Sequence, residues 1–254
     1  MIDVIASETV KARSVRSTRV LLASSASAVF VGGLMALISA GAWDAATPDE
    51  RAHFGGLGDG TSVLTVVQLC LMAFGILTAT SEYSTGMIRT SLVAVPVRRK
   101  LLLAKALVVA ASTFIAGEVI AVATFFVSRL LIGDRPIGSL TTVDTGLPAV
   151  LAEGLLMMVV ALIALGLATM IRSTAGTLVT MAVLLFALPM LPQMLLPAPW
   201  GGRIASVLPS ELAGQLSGAA TETHLSPLGA LIAMAVWVTV AIYAGLAAIT
   251  RRDA

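Results

Sequence analysis

Six long apolar stretches, separated by charged or turn-forming segments, decide what this chain can become. Residues 20–43, 61–80, 101–127, 147–171 and 227–249 each approach or exceed the roughly 20 residues that cross a hydrocarbon core, and a sixth stretch over 175–196 runs into LPMLPQMLLPAPW. Backbone groups in hydrocarbon must be paired within the protein, so each stretch is a helix or part of a closed barrel. Continuous apolarity without period-two alternation excludes the barrel. Pro189, Pro192, Pro197 and Pro199 predict that regular helix does not continue far into that last segment, whereas Pro227 sits near the first turn of the sixth span, where its missing N–H does little harm. Composition agrees: 57% of the 254 residues are hydrophobic and 12% charged, too little polar surface to cover a water-soluble core. The expectation is an all-α membrane protein of six spans, one membrane domain over 1–254.

Basic residues predict the orientation. Lys11, Arg13, Arg16 and Arg19 precede span 1; Arg89, Arg98, Arg99, Lys100 and Lys105 lie between spans 2 and 3 or just inside span 3; Arg172 follows span 4; Arg251 and Arg252 follow span 6. Only Arg51, Arg129, Arg135 and Arg203 fall on the other side, beside most of the loop acids. Both termini are therefore expected in the cytoplasm, with the chain in the inner (cytoplasmic) membrane. The sequence pI near 9.0 does not imply nucleic-acid binding, because the cations are spread over loops. Ala40-Gly41-Ala42 imitates a signal-peptide cleavage site, but the preceding run is too long for a secretory h-region, and retention is expected.

Catalytic and metal chemistry find little support. Cys70, the single cysteine, lies in an apolar run and reads as an inert thiol. His53 and His224 are the only histidines and both fall in outer loops, away from any membrane-embedded serine. No His/Cys/carboxylate group has metal-ligand spacing. GGLGDGTS over residues 55–62 has the glycine spacing of a phosphate-binding loop, but Thr61 stands where the lysine must be, on the wrong side of the membrane for cytosolic ATP; it reads as a flexible loop.

Four segments carry more information. After span 2, SEYSTGMIRTSLVAVPVRRK offers Ser84 or Thr85 as a helix cap, Ile88, Leu92 and Val95 on one helical face, and Pro96 as the stop. Arg98, Arg99 and Lys100 then face lipid phosphates. Such a helix either anchors the bundle at the interface or docks a partner and passes motion to span 3. Glu118 and Glu153 are embedded in spans 3 and 4; they line a translocation path or gate, or else form interhelical hydrogen bonds, Glu118 alternatively being protonated in an apolar site. Between spans 5 and 6, Ile204, Val207, Leu208, Leu212 and Leu216 suggest short helices that dip into the outer leaflet or lie on it, with Trp200 at the interface. Gly154, Gly166, Gly176 and Gly245 permit close helix packing or dimerisation.

Glu82, Gly86, Pro96, Arg98, Arg99 and Lys105 together resemble the coupling region of permeases of the type-2 ABC exporter family, where a Glu, a later Gly and a Pro followed by basic residues precede span 3. SETVKARSVRST, with Glu8, Lys11, Arg13, Ser14, Arg16 and Ser17, is similar to the amphipathic elbow helix of actinobacterial members, although Thr9-Val10 stands where an aromatic residue is common. ALGLATMIRSTAG and VLPSELAGQ add two more similar blocks. The resemblance implies an exporter permease with an elbow helix (Glu8, Lys11, Arg13, Arg16), a cytoplasmic coupling helix (Glu82, Gly86, Ile88, Arg89, Leu92, Pro96, Arg98, Arg99) and re-entrant outer helices between spans 5 and 6. It further implies a second permease copy or paralogue and two cytoplasmic ABC ATPase subunits that bind ATP and Mg, with no cofactor in this chain. The function expected is export of an amphipathic or hydrophobic substrate (a drug, natural product, peptide or lipid-linked molecule). The alternatives are an ATPase-independent channel or secondary transporter, and a scaffold or sensor that recruits an ATPase without transporting; no convincing symmetry between the halves favours the first.

Overall fold

The computed structural model describes residues 2–14, 16–54, 58, 60–87, 93, 97–137, 143–220 and 224–251. Among these there is no strand. The elements are α1 (Ile2–Ser14), α2 (Arg16–Ala45), α3 (Pro48–Ala52), α4 (Leu64–Ser84), α5 (Arg98–Ile132), α6 (Val143–Ile171), α7 (Thr174–Ala182), a π turn (Val183–Ala187), α8 (Leu188–Leu195), α9 (Trp200–Ala205), α10 (Leu212–Ser217) and α11 (Pro227–Arg251). Six helical stretches are long and apolar enough to cross a membrane: Ala23–Ala45, Thr61–Ser84, Arg98–Ile132, Gly146–Ile171, Thr174–Leu195 and Pro227–Arg251.

Helix α6 is the hub. Leu156, Met157 and every residue from Val159 to Leu165 are buried, so no single face carries the apolar residues and no period can be read from them. Helices α4, α5 and α11 pack around it, with α10 against its outer part. Glycines set these distances: a Cβ on Gly75 would overlap the Ala161 carbonyl, and one on Gly166 the Ala241 carbonyl. Gly245 lies in the second of these crossings, against Thr169, and Gly154 in the crossing of α6 with α5, against Glu118. Three of the four glycines flagged in the sequence are thus spent on packing within the chain. Helices α2, α8 and α11 instead leave Phe30, Leu37, Met194, Leu195, Ile232 and Tyr243 exposed, as lipid-facing surfaces require.

Local chemistry fixes the connections. Thr47, Pro48 and Glu50 start α3 with a capping box: Glu50 N–H donates to Thr47 Oγ1 at 3.4 Å and Thr47 N–H to Glu50 Oε2 at 2.7 Å. The Thr47 backbone bond holds the Glu50 carboxyl below its usual range. At the end of α5, Arg135 donates to the Ile132 carbonyl and both carboxylate oxygens of Asp44, tying α5 to α2. The glycine-rich segment 55–62 falls partly outside the described residues, but from Gly60 onward it is packed: Gly60 has φ +81° and abuts the Gly32 carbonyl so closely that no Cβ fits.

The fifth span has its expected extent, Thr174–Leu195 against 175–196, but helix continues through Pro189 and Pro192 to Leu195. A π turn over Val183–Ala187 directly precedes this stretch and loosens the spiral where the Pro189 ring would press on the carbonyl four residues back. Span 3 is also longer than expected: the 35 residues of α5 extend about 52 Å against a core of about 30 Å, so its first two turns stand at the bundle's end.

Candidate functional site

At the end of the bundle carrying the chain termini, four charged side chains from three separate elements close into a ring. Helix α1 lies across the start of α5 and turns Glu8 inward. Glu82 comes from the last turn of α4 and Lys105 from the second turn of α5. Lys105 Nζ donates to Glu8 Oε2 at 2.6 Å, Glu82 Oε1 at 3.1 Å and the Thr78 carbonyl at 3.1 Å, which uses all three ammonium protons. Lys11 Nζ reaches Glu8 Oε1 at 2.7 Å and Glu82 Oε1 at 3.1 Å. Glu8, Glu82 and Lys105 are 2%, 4% and 5% exposed, so this is an interior cluster and not a surface pair. Among the described residues Glu82 Oε2 has no hydrogen-bond partner.

Lys105 therefore does not snorkel to the headgroups; its charge is balanced in place. Burying three charges beside the half-buried Lys11 is costly and is tolerated because each faces the opposite sign at hydrogen-bond distance. Burial pushes the Glu8 carboxyl up, but the Lys105 charge and hydrogen bond, followed by Lys11, outweigh it and leave the group below its ordinary 4.5. Burial likewise pushes the Lys11 ammonium down, but its hydrogen bond to Glu8 and the Glu82 charge leave it above its ordinary 10.5. A depressed acid stabilises the fold above its unfolded pKa and loses this as pH falls; a raised base stabilises below its unfolded pKa and loses this as pH rises. Docking of α1 is thus expected to hold at neutral pH and to fail progressively below 4.5 and above 10.5. A spin-label distance between positions 10 and 103, both exposed, should stay constant inside that window and lengthen outside it.

The ring sits beside the exit of α4. The Ser84 and Thr85 hydroxyls both donate back to the Ser81 carbonyl. Gly86 then ends α4 with φ +70° and its N–H on the Tyr83 carbonyl, a left-handed C-terminal turn that favours glycine. No neighbouring atom would meet a Cβ there, so the backbone alone is at stake. Gly86→Ala should cost about 1–2 kcal/mol, read as a lower thermal midpoint in detergent and a changed direction of the segment that follows.

Of the other residues expected at this site, Ile88, Arg89, Leu92 and Pro96 lie outside the described residues. Arg98 opens α5 and donates to the Ile249 carbonyl at the end of α11, where a cation also meets the negative end of that helix; it is not simply a lipid-facing charge. Arg99 is exposed. Arg13 lies in the last turn of α1 and Arg16 at the start of α2.

Sequence reasoning missed the partners on neighbouring helices. Arg172 adopts φ +59° immediately after α6, and Ser173 then caps α7 by accepting from Gly176 N–H, which makes the sharp turn between spans 4 and 5. The Arg172 guanidinium lies 5.2 Å from the centre of the Tyr83 ring. Thr174 donates to Thr80 at 2.8 Å. The ends of spans 2 through 6 are thereby joined to α1 through polar contacts. One signal for this was present: Lys105 stands inside the start of an apolar run, where a charge needs a partner.

The embedded acids are elsewhere. Glu118 on α5 and Glu153 on α6 lie in the half of the bundle away from the ring, and neither joins an ion pair among the described residues. Among the described residues Glu118 Oε2 has no hydrogen-bond donor. His53 and His224 are exposed; among the described residues no His, Cys, Asp or Glu group could hold a metal. Cys70 is half-buried, 3.7 Å from Ser24 Oγ. Compared with known proteins, residues 4–188 match the family model described as "ABC-2 family transporter protein". No curated protein matches the chain.

Proposed function

The chain belongs to the ABC-2 family of transporter proteins, a multi-pass permease whose family implies an ABC ATPase partner, and from that premise we propose that it is the membrane half of an ATP-driven exporter. A single transmembrane domain over 1–254 pairs with a second copy or a paralogue and with two ATPase subunits on the cytoplasmic side of the cell membrane. Those subunits bind and hydrolyse ATP with Mg; this chain supplies the path for an amphipathic or hydrophobic substrate. Both termini are cytoplasmic, in keeping with the basic residues gathered at that end.

The buried ring of Glu8, Lys11, Glu82 and Lys105 is the observation that carries this reading. It joins three elements at the base of the segment over 88–96, so force applied to that segment reaches α4, α5 and α1 together. Ion-paired side chains with short contacts transmit displacement better than an apolar contact that can slide, because any relative motion breaks hydrogen bonds in the interior. In this scheme α1 acts as the elbow helix, Glu82 and Gly86 set where the coupling segment leaves α4, and Arg98 and Arg99 set where it enters α5. The short outer helices close the other end: Leu216 of α10 borders the same groove as Leu151 and Leu155 of α6, about 8–14 Å below the start of that span at Gly146, and Trp237 Nε1 holds the preceding turn through the Val207 carbonyl.

Copurification from native membranes without crosslinking tests the proposal. The expected result is a bound ATPase polypeptide whose hydrolysis drives substrate out of reconstituted vesicles. Substrate movement with no ATPase and no ATP would refute it in favour of a channel; stimulated hydrolysis without movement would make the chain a scaffold.

A further inference from the structure

Among the described residues two carboxylates in the bundle, Glu118 and Glu153, have no cation within salt-bridge distance, and both adjoin one glycine, Gly154. The Glu118 carboxyl is seated against Gly154 of α6, where a Cβ would come within 2.6–2.8 Å of its carbon and both oxygens; the absence of a side chain on Gly154 makes the seat. The carboxyl opens onto a lateral groove of about 600 Å³ whose walls include Phe114, Val122, Leu151, Leu155 and Leu216. Glu153, the residue before Gly154, borders a second cavity of about 280 Å³ with Ser62, Thr65 and the backbone of Gly214. Ser217, at the end of α10, borders both.

A solitary carboxylate in an apolar groove is expensive to ionise, because neither water nor a counter-charge is at hand. A ligand that brings an apolar body and one positive charge removes both deficits: its body covers the groove walls and its charge meets Glu118. Phe114 lines the same groove, and an aromatic ring attracts a cation. An anion of equal size gains the apolar contact but is repelled by the carboxylate. Resting on the permease reading above, we propose that this groove admits a lipophilic monocation from the membrane, that Glu118 holds it, and that Glu153 receives it past Ser217 in the more polar outer cavity. Charge, and not shape, then selects what is carried.

Tetraphenylphosphonium and tetraphenylborate share a shape and differ in sign, so they separate charge from hydrophobicity. Their binding to the full chain in nanodiscs, corrected for empty discs, should favour the cation by about tenfold or more. Glu118→Gln should remove most of that preference, Glu118→Asp should keep it, and Glu153→Gln should leave binding at the groove intact while slowing release from vesicles containing the whole complex. Equal affinity of the wild-type chain for the two ions would overturn the proposal without any variant being made. An unchanged preference in a folded Glu118→Gln chain would overturn it too. Binding here needs no ATPase, so a failure of the exporter reading with cation preference intact would leave the site standing. An ATP-driven exporter blind to the sign of the ligand would remove the site and leave the exporter.

Discussion

Lys105→Met is expected to release α1 from the bundle and to abolish ATPase stimulation by the permease. The substitution keeps length and apolar volume but removes the one side chain that bridges Glu8, Glu82 and the Thr78 carbonyl. Two buried carboxylates are left with Lys11 alone between them, and Lys11 is about a third exposed. Removing one member of a buried charge cluster costs about 3–5 kcal/mol, mostly from the charges stranded behind. Glu8→Gln in the same chain removes one of the stranded charges and should return part of that loss, whereas the two changes would simply add if the residues did not interact. Thermal unfolding in detergent reads the stability, and hydrolysis by the reconstituted complex reads the coupling. A Lys105→Met chain with normal melting and normal stimulation would show that the ring holds nothing together.

Gly166→Ala should be nearly as damaging for a different reason. The added methyl would overlap the backbone carbonyl of Ala241, which no rotamer change can move, so α6 and α11 must separate. Overpacking a close crossing costs about 1–3 kcal/mol, occasionally more, and here it falls on the most buried helix of the protein. Trimming Ala241 to Gly should not rescue it, because the obstacle is main chain. Gly41→Ala is the control: nothing lies within 4 Å of the new methyl, and helix propensity predicts a neutral or slightly stabilising change of up to about 1 kcal/mol. Equal melting of the Gly166→Ala and Gly41→Ala chains would contradict the packing described.

Helix number was legible in the sequence because lipid imposes length: a run such as 147–171 must span whatever its neighbours do. Helix ends were less so. Pro189 and Pro192 looked like a stop, and only the structure places a π turn just ahead of them. Packing partners were not legible, since α6 is apolar on every side and offers no face to orient it. At the candidate site, Glu82, Gly86 and Lys105 stood out through spacing that resembles a family, and Glu8 and Lys11 through a separate block. Their meeting depended on α1 folding back across α5, a tertiary event that spacing does not encode. Arg172 was invisible for a related reason: its left-handed backbone and its stacking on Tyr83 arise from the turn between spans 4 and 5. The amphipathic face of Ile88, Leu92 and Val95 remains a property of the sequence.

The central claim is that the end of the bundle holding the ring faces the compartment of the ATPase. Val93 lies in the proposed coupling segment and is 84% exposed, so a cysteine placed there in a Cys70→Ala chain reports that side directly. An impermeant maleimide should label it in inside-out vesicles, should fail to label it in right-side-out vesicles, and should be blocked when the ATPase partner is bound. Labelling from the outer face of sealed, right-side-out vesicles would put the segment beyond reach of any ATPase and contradict the account.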